Sequence, residues 1–293
     1  MRTVLDGRTT IERILDGEDR RLIAIVGPCS IHDLDAAAEY AAKLKKLADE
    51  ISGSIFVVMR AYFEKPRSSI GWKGLINDPY MNDTFHIGEG LRMARHFLHG
   101  IADMGLPAGT ELLDTLVPQY IGDLVSWSAV GARTAEAQTH RAVASGSSSP
   151  VGFKNGTDGS IETAVNAVRA AMGPQHFLGF TENGMPAVFS TTGNPYPHIV
   201  LRGGKTPNYD SVSVATCIEA LRRDNLPESI IIDCSHANSQ KKPELQAAVL
   251  DSVLQQAAGG TRAIKGFMLE SYHEAGSQPI AADRAAINPR ISV

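Results

Sequence analysis

The sequence predicts an α/β protein built as a single (β/α)8 barrel, and three observations carry that prediction. Short β-branched runs alternate with amphipathic segments across residues 21–270. Eight such runs can be counted, which favours a closed barrel over an open doubly wound sheet. The length of 293 residues suits one barrel domain.

In chain order, the predicted strands cover residues 22–29, 55–61, 108–112, 129–133, 151–154, 198–202, 230–233 and 264–270. Each is short and centred on residues such as Ile23, Val57, Val130, Phe153, Val200 and Ile231 that suit a buried parallel sheet. Between them the clearest helix spans 35–51, where Ala37, Tyr40, Ala41, Leu44, Leu47, Ala48 and Ile51 share one face and Asp33 or Asp35 caps the start. A second helix is predicted over 243–258, with Pro243 in its first turn and Gly259 and Gly260 as its stop. Two insertions interrupt the rhythm. Residues 62–86 form a long polar loop, of a length that is more often functional than incidental. Residues 177–190 read as a β-hairpin, with strands at 177–180 and 187–190 around a turn at Glu182, Asn183 and Gly184. No Ser- or Pro-rich linker and no repeat divides the chain, so residues 1–293 are expected to form one domain.

Composition removes several function classes. There are 28 Lys and Arg against 32 Asp and Glu, a net charge of −4, and 43% of residues are hydrophobic. That balance gives no general attraction to nucleic acid or membrane, so any anion must be held by a local group of cations. Cys29, Cys217 and Cys234 are too few for a disulfide framework, and with no signal-peptide core in residues 1–17 a cytoplasmic location is expected. No apolar run approaches the roughly 20 residues needed to cross a bilayer.

In a barrel of this kind the strand C-termini converge on one mouth. The predicted ends there are Cys29, Arg60, Glu111, Arg133, Lys154, Arg202, His236 and Glu270. Cys29, His236 and Glu270 would lie on neighbouring strands once the barrel closes, and thiolate, imidazole and carboxylate together suit a divalent transition metal. Singly each has an ordinary structural reading: a buried thiol, a hydrogen-bonded histidine, a rim carboxylate. Arg60, Arg133, Lys154 and Arg202, with Lys65 and Arg67 from the long loop, form a second set. Most Lys and Arg are solvated surface cations, but four at strand ends facing one cavity would repel one another unless an anion sat among them. Phosphate and carboxylate fit best, because Arg can grip either with two parallel hydrogen bonds. Glycines beside these cations, at 131, 152, 156, 203 and 204, would let a ligand approach backbone N–H groups.

Seven segments, GPCSIHD (27–33), FEKPRSS (63–69), GWKGLINDP (71–79), GART (131–134), GFKNGTDG (152–159), LRGG (201–204) and CSHANS (234–239), resemble the type I 3-deoxy-D-arabino-heptulosonate 7-phosphate synthases. The resemblance runs over about residues 3–278. It implies a (β/α)8 barrel that condenses phosphoenolpyruvate with erythrose 4-phosphate, the first step of the shikimate pathway. It implies that Arg60, Lys65, Glu111, Arg133, Lys154 and Arg202 hold phosphoenolpyruvate or its surroundings, and that Arg67 and Ser68 hold the aldose phosphate, with Ser68 where the family usually has Thr. Lys65 and Lys154 take the catalytic roles, Lys65 as proton donor to the new alkoxide. One divalent ion, Mn, Fe, Zn or Co, would bind Cys29, His236 and Glu270. A homo-oligomer, dimer or tetramer, is expected, with no nucleic-acid or membrane partner. Against the family the chain reads as shortened at both ends: the N-terminal extension, a fourth metal ligand, an Asp, and the final helix would lie outside residues 1–293. Water or Asp283 could close the metal site; otherwise the chain would be a phosphoenolpyruvate-binding protein or partner subunit without turnover, or a related phosphoenolpyruvate aldol synthase.

Overall fold

The computed structural model describes residues 1–67, 69–280 and 286–293. Eight parallel strands close into a barrel: β1 (Leu22–Gly27), β2 (Ile55–Arg60), β3 (Ala108–Glu111), β4 (Trp127–Val130), β5 (Val151–Lys154), β8 (Pro197–Leu201), β9 (Ile230–Asp233) and β10 (Ile264–Glu270). Each pairs with its neighbours in sequence order, and β10 closes the ring on β1, with Gly27 opposite Glu270. The remaining two strands, β6 (His176–Phe180) and β7 (Pro186–Ser190), form the expected antiparallel hairpin outside the barrel.

Helices α2 (Leu34–Glu50), α3 (Ile87–Asp103), α5 (Gln138–Ser145), α6 (Ile161–Met172), α7 (Ser211–Arg223) and α8 (Gln246–Ala258), with the short α4 (Val117–Ile121), cover the outside. Asp33, rather than Asp35, caps α2 by accepting from the Ala36 N–H at 2.8 Å. The predicted helix at 243–258 begins with a 3-10 turn, Pro243–Leu245, before α8. Among the described residues β10 is followed by turns, a 3-10 position at Ala286 and a bridge between Ser277 and Ser292.

Two differences from the predicted elements have physical causes. The fourth strand ends at Val130, not Arg133, because residues 131–135 turn back on themselves, with Thr134 and Ala135 donating to the Gly131 carbonyl. Residues 2–16, read from sequence only for the lack of a signal core, form helix α1 (Arg2–Asp16). Its buried positions Val4, Gly7, Ile11, Ile14 and Leu15 recur at helical spacing, while the charged residues that obscured the pattern lie between them.

Alternation along the strands sorts side chains into two layers. Ala24, Val57, Val130, Ile199, Ile230 and Phe267 point outward into the layer shared with the helices. Their neighbours Ile23, Ile25, Val58, Trp127, Ala129, Val200, Ile231 and Met268 point into the barrel, where Ile11, Ile14 and Leu15 of α1 join them. Trp127 has room there because Gly109 and Gly152 flank it: a Cβ on Gly152 would fall 2.7 Å from the indole.

Candidate functional site

The same alternation decides what faces the mouth. Two residues beyond Val58, Val200, Ile231 and Met268 stand Arg60, Arg202, Asp233 and Glu270, so the inward rows change from apolar to charged within one strand period. Arg60, Glu111, Lys154 and Asp233 are buried. Charges that deep persist only when paired.

The cavity at this end, about 70 Å³, is lined by Glu111, Arg133, Lys154, Arg202 and His236, with Pro66 from the long loop. Lys154 Nζ lies 3.8 Å from Glu111 Oε2 and 3.9 Å from Asp233 Oδ2. A Cβ on Gly131 would come within 2.5 Å of Glu111 Oε1, so a larger residue there would displace that carboxylate from Lys154. Burial pulls the Arg202 guanidinium below its ordinary pKa; Asp233 opposes this and the neighbouring charge of Arg133 adds to it. Two guanidiniums that disfavour each other across a cavity form a site for an anion.

Arg60 is sequestered behind this cavity. Its guanidinium donates to the Pro28 carbonyl (3.0 Å), the Cys29 carbonyl (3.2 Å) and Glu270 Oε1 (2.9 Å), and lies 3.7 Å from the centre of the Tyr62 ring. Lys65 Nζ sits 3.6 Å from Cys29 Sγ and contacts the Val293 backbone oxygen. Arg67 is exposed and donates to the Trp72 carbonyl of its own loop at 2.7 Å. Ser68 and Asp283 lie outside the described residues.

His236 and Glu270 are brought together, with Nε2 3.6 Å from Oε1, while Cys29 at the same end faces Lys65. Among the described residues no three His, Cys, Asp or Glu side chains converge as a closed metal-binding group. The donor set nevertheless fits a divalent ion. Two ligand atoms each about 2.1 Å from one metal stand about 3.0–3.6 Å apart, the separation of this pair. Burial, with Glu270 adding and Lys65 opposing, raises the Cys29 thiol pKa; a bound metal would reverse that. Burial also works against ionised Glu270, but nearby positive charge, from His236 whenever its ring is protonated and from Arg60, outweighs it and its carboxyl pKa is lowered.

Two residues here were missed by sequence reasoning. Asp233 is fully buried and Ser235 nearly so, and both contact the His236 ring, with Nδ1 2.8 Å from Ser235 Oγ and 2.8 Å from Asp233 Oδ2. The available signal was positional: Asp233 continues the inward row of Ile231. Glu64 is a third. Its buried carboxyl is pushed up to about 7, by burial first and then by Asp114 and Glu111, against one hydrogen bond from the Asp114 N–H at 3.4 Å.

Comparison with known proteins places this arrangement in context. The sequence profile of the DAHP synthetase I family matches residues 5–292. The Tyr-sensitive phospho-2-dehydro-3-deoxyheptonate aldolase of Escherichia coli K12 is 51% identical over 290 residues, covering 99% of this chain and 82% of the relative. The Phe-sensitive enzyme of the same strain is 52% identical over 278 residues, covering 95% of this chain and 79% of the relative. Among solved structures, the phospho-2-dehydro-3-deoxyheptonate aldolase of Francisella tularensis SCHU S4 superposes with a TM-score of 0.96 at 45% identity, covering 99% of this chain and 85% of that one.

Proposed function

The chain belongs to the DAHP synthetase I family, and on that premise we propose that it joins phosphoenolpyruvate to erythrose 4-phosphate, giving the seven-carbon phosphate sugar acid and inorganic phosphate. The observation that carries this reading is the cavity in which Arg133, Lys154 and Arg202 face one another with His236 at the edge. A small dianion carrying both carboxylate and phosphate would satisfy those cations together.

Arg133 and Arg202 bind the phosphoenolpyruvate anion, and Lys154, held between Glu111 and Asp233, fixes its orientation in the cavity. The methylene carbon of phosphoenolpyruvate forms the new bond to the aldehyde carbon. Lys65 donates a proton to the resulting alkoxide, water adds to the electron-poor second carbon, and the bond from that carbon to the phosphate oxygen breaks. Arg60 adds to the positive charge that holds phosphoenolpyruvate and, through its pair with Glu270, keeps that carboxylate ionised. Arg67 and Ser68 bind the aldose phosphate. His236 and Glu270, with Cys29, would hold a divalent ion, Mn, Fe, Zn or Co, which as a Lewis acid supplies polarisation of the aldehyde. Pre-positioning matters because two anionic substrates otherwise repel each other.

The residues 1–293 act as one barrel domain with the 177–190 hairpin as an insertion, in a cytoplasmic homo-oligomer. No helix among the described residues is long and apolar enough to cross a membrane. The test is loss of phosphoenolpyruvate absorbance on adding erythrose 4-phosphate, in the presence of each of the four metals. Metal-dependent loss with matching phosphate release is expected. Binding of phosphoenolpyruvate without turnover under every metal, or preference for a five-carbon aldose, would contradict it.

A further inference from the structure

We propose that Asp233 and Ser235 are positioning residues that lock the His236 imidazole in its Nδ1–H form, so that a bare Nε2 lone pair faces Glu270. Its purpose rests on the reading above that His236 and Glu270 hold a divalent cation.

Proton positions follow from the donors and acceptors present. Asp233 is fully buried, and as a carboxylate it can only accept. Its Oδ1 takes two hydrogen bonds, from the Ser235 N–H at 2.9 Å and from the Ser235 hydroxyl at 2.7 Å. A hydroxyl has one proton, so with that proton on Asp233 the Ser235 oxygen can only accept from His236 Nδ1, 2.8 Å away. Asp233 Oδ2 also lies 2.8 Å from Nδ1 and is otherwise a buried oxygen without a hydrogen-bond donor. Nδ1 therefore lies beside two acceptor oxygens, and a bare Nδ1 would set its lone pair against the Asp233 Oδ2 carboxylate oxygen at 2.8 Å, so the arrangement favours hydrogen on Nδ1. In a neutral ring the lone pair must then be on Nε2.

The backbone supports the same conclusion. His236 has φ +55°, in the left-handed region that side chains other than glycine rarely adopt. Such a residue persists where its surroundings over-determine it. Here the Asn238 amide donates to the Asp233 carbonyl at 2.8 Å and the Leu201 carbonyl at 3.1 Å, and the Lys241 N–H donates to the His236 carbonyl at 2.7 Å. These contacts pin residues on both sides of the ring and hold it at the mouth. With Nε2 bare, two lone-pair atoms, Nε2 and Glu270 Oε1, stand 3.6 Å apart with no proton between them, an arrangement that a cation relieves.

The test uses the full chain carrying 15N-histidine, treated with a chelator and held at about pH 8, above the ordinary imidazole pKa of about 6.5. Long-range proton–nitrogen spectra are expected to show His236 with a protonated Nδ1 and a bare Nε2. Adding Zn2+ alone should shift Nε2 and leave Nδ1 protonated. Asp233→Asn replaces the acceptor with an amide that can donate to Nδ1; His236 should move to the Nε2–H form and Zn2+ affinity should fall about 10–100-fold. Ser235→Ala should lower affinity less, and Ser235→Thr, which restores the hydroxyl, should recover it. A protonated Nε2 in the unsubstituted chain would overturn the lock, whether or not any variant folds. A bare Nε2 in a chain that takes up no Zn2+ would support the lock and sink the metal reading separately.

Discussion

The two ends of the barrel are made from the same strands and the same inward rows, yet they solve opposite problems. At the N-terminal end Ile23, Val58, Trp127, Val200, Ile231 and Met268 pack against Ile11, Ile14 and Leu15 of α1. The buried histidine there is self-contained: Trp127 Nε1 donates to His198 Nε2 at 3.0 Å, and His198 Nδ1 lies 3.2 Å from the Tyr196 carbonyl. At the C-terminal end the next inward positions are Arg60, Arg202, Asp233 and Glu270: Arg60 pairs with Glu270 and Asp233 lies beside Lys154, while Arg202 lines a cavity together with Arg133 and Lys154. One strand period separates an apolar end from a charged one. Stability and chemistry are thereby placed at opposite ends of one core.

The most severe way to break this contrast is Lys154→Met. It removes the cation between Glu111 and Asp233 and leaves two buried carboxylates without it. Turnover is expected to fall about 10²–10³-fold, and stability by about 3–5 kcal/mol. Steady-state kinetics alongside urea unfolding would check both. Unchanged turnover would remove Lys154 from the site.

Trp127→Ala tests the other end. It empties the centre of the apolar rows and should cost about 3–5 kcal/mol of stability, while the folded fraction keeps its kcat/KM. Parallel unfolding and activity measurements would show this; a large loss of kcat/KM in folded protein would erase the division between the two ends.

The ends should also respond to pH in opposite directions. Burial depresses His198 to about 4, so its contribution is intact above the unfolded pKa near 6.5 and is lost as pH falls toward 4. Burial raises Glu64 to about 7, so its contribution is intact below the unfolded pKa near 4.5 and is lost as pH rises toward 7. Each amounts to about 3 kcal/mol at most. Unfolding of Glu64→Gln followed from pH 4 to 9 should lose the alkaline decline and keep the acid one. A variant that retained the alkaline decline would assign it elsewhere.

Much of this contrast was legible in the sequence. Strand rhythm located all eight barrel strands, and the residues at their ends included Arg133, Lys154, Arg202 and His236, which line the cavity. The rest depended on contacts that spacing does not encode. The ion pair of Arg60 with Glu270 cannot be read from spacing, and Asp233 reads as a strand end until its buried oxygens meet Ser235 and His236. Helix α1 was hidden because its apolar face is a narrow stripe among charged residues, recognisable once Ile11 and Ile14 are found inside the barrel.

The central claim is that the open end binds phosphoenolpyruvate through Arg133 and Arg202, which form no ion pair among the described residues, with Lys154 beside them, and Arg133→Ala tests it most directly. Arg133 is exposed at the cavity rim, so its loss should leave the fold intact. The KM for phosphoenolpyruvate should rise about 10–100-fold, as expected for one charged hydrogen-bonding partner, with the KM for erythrose 4-phosphate nearly unchanged. A rise confined to erythrose 4-phosphate would contradict the assignment.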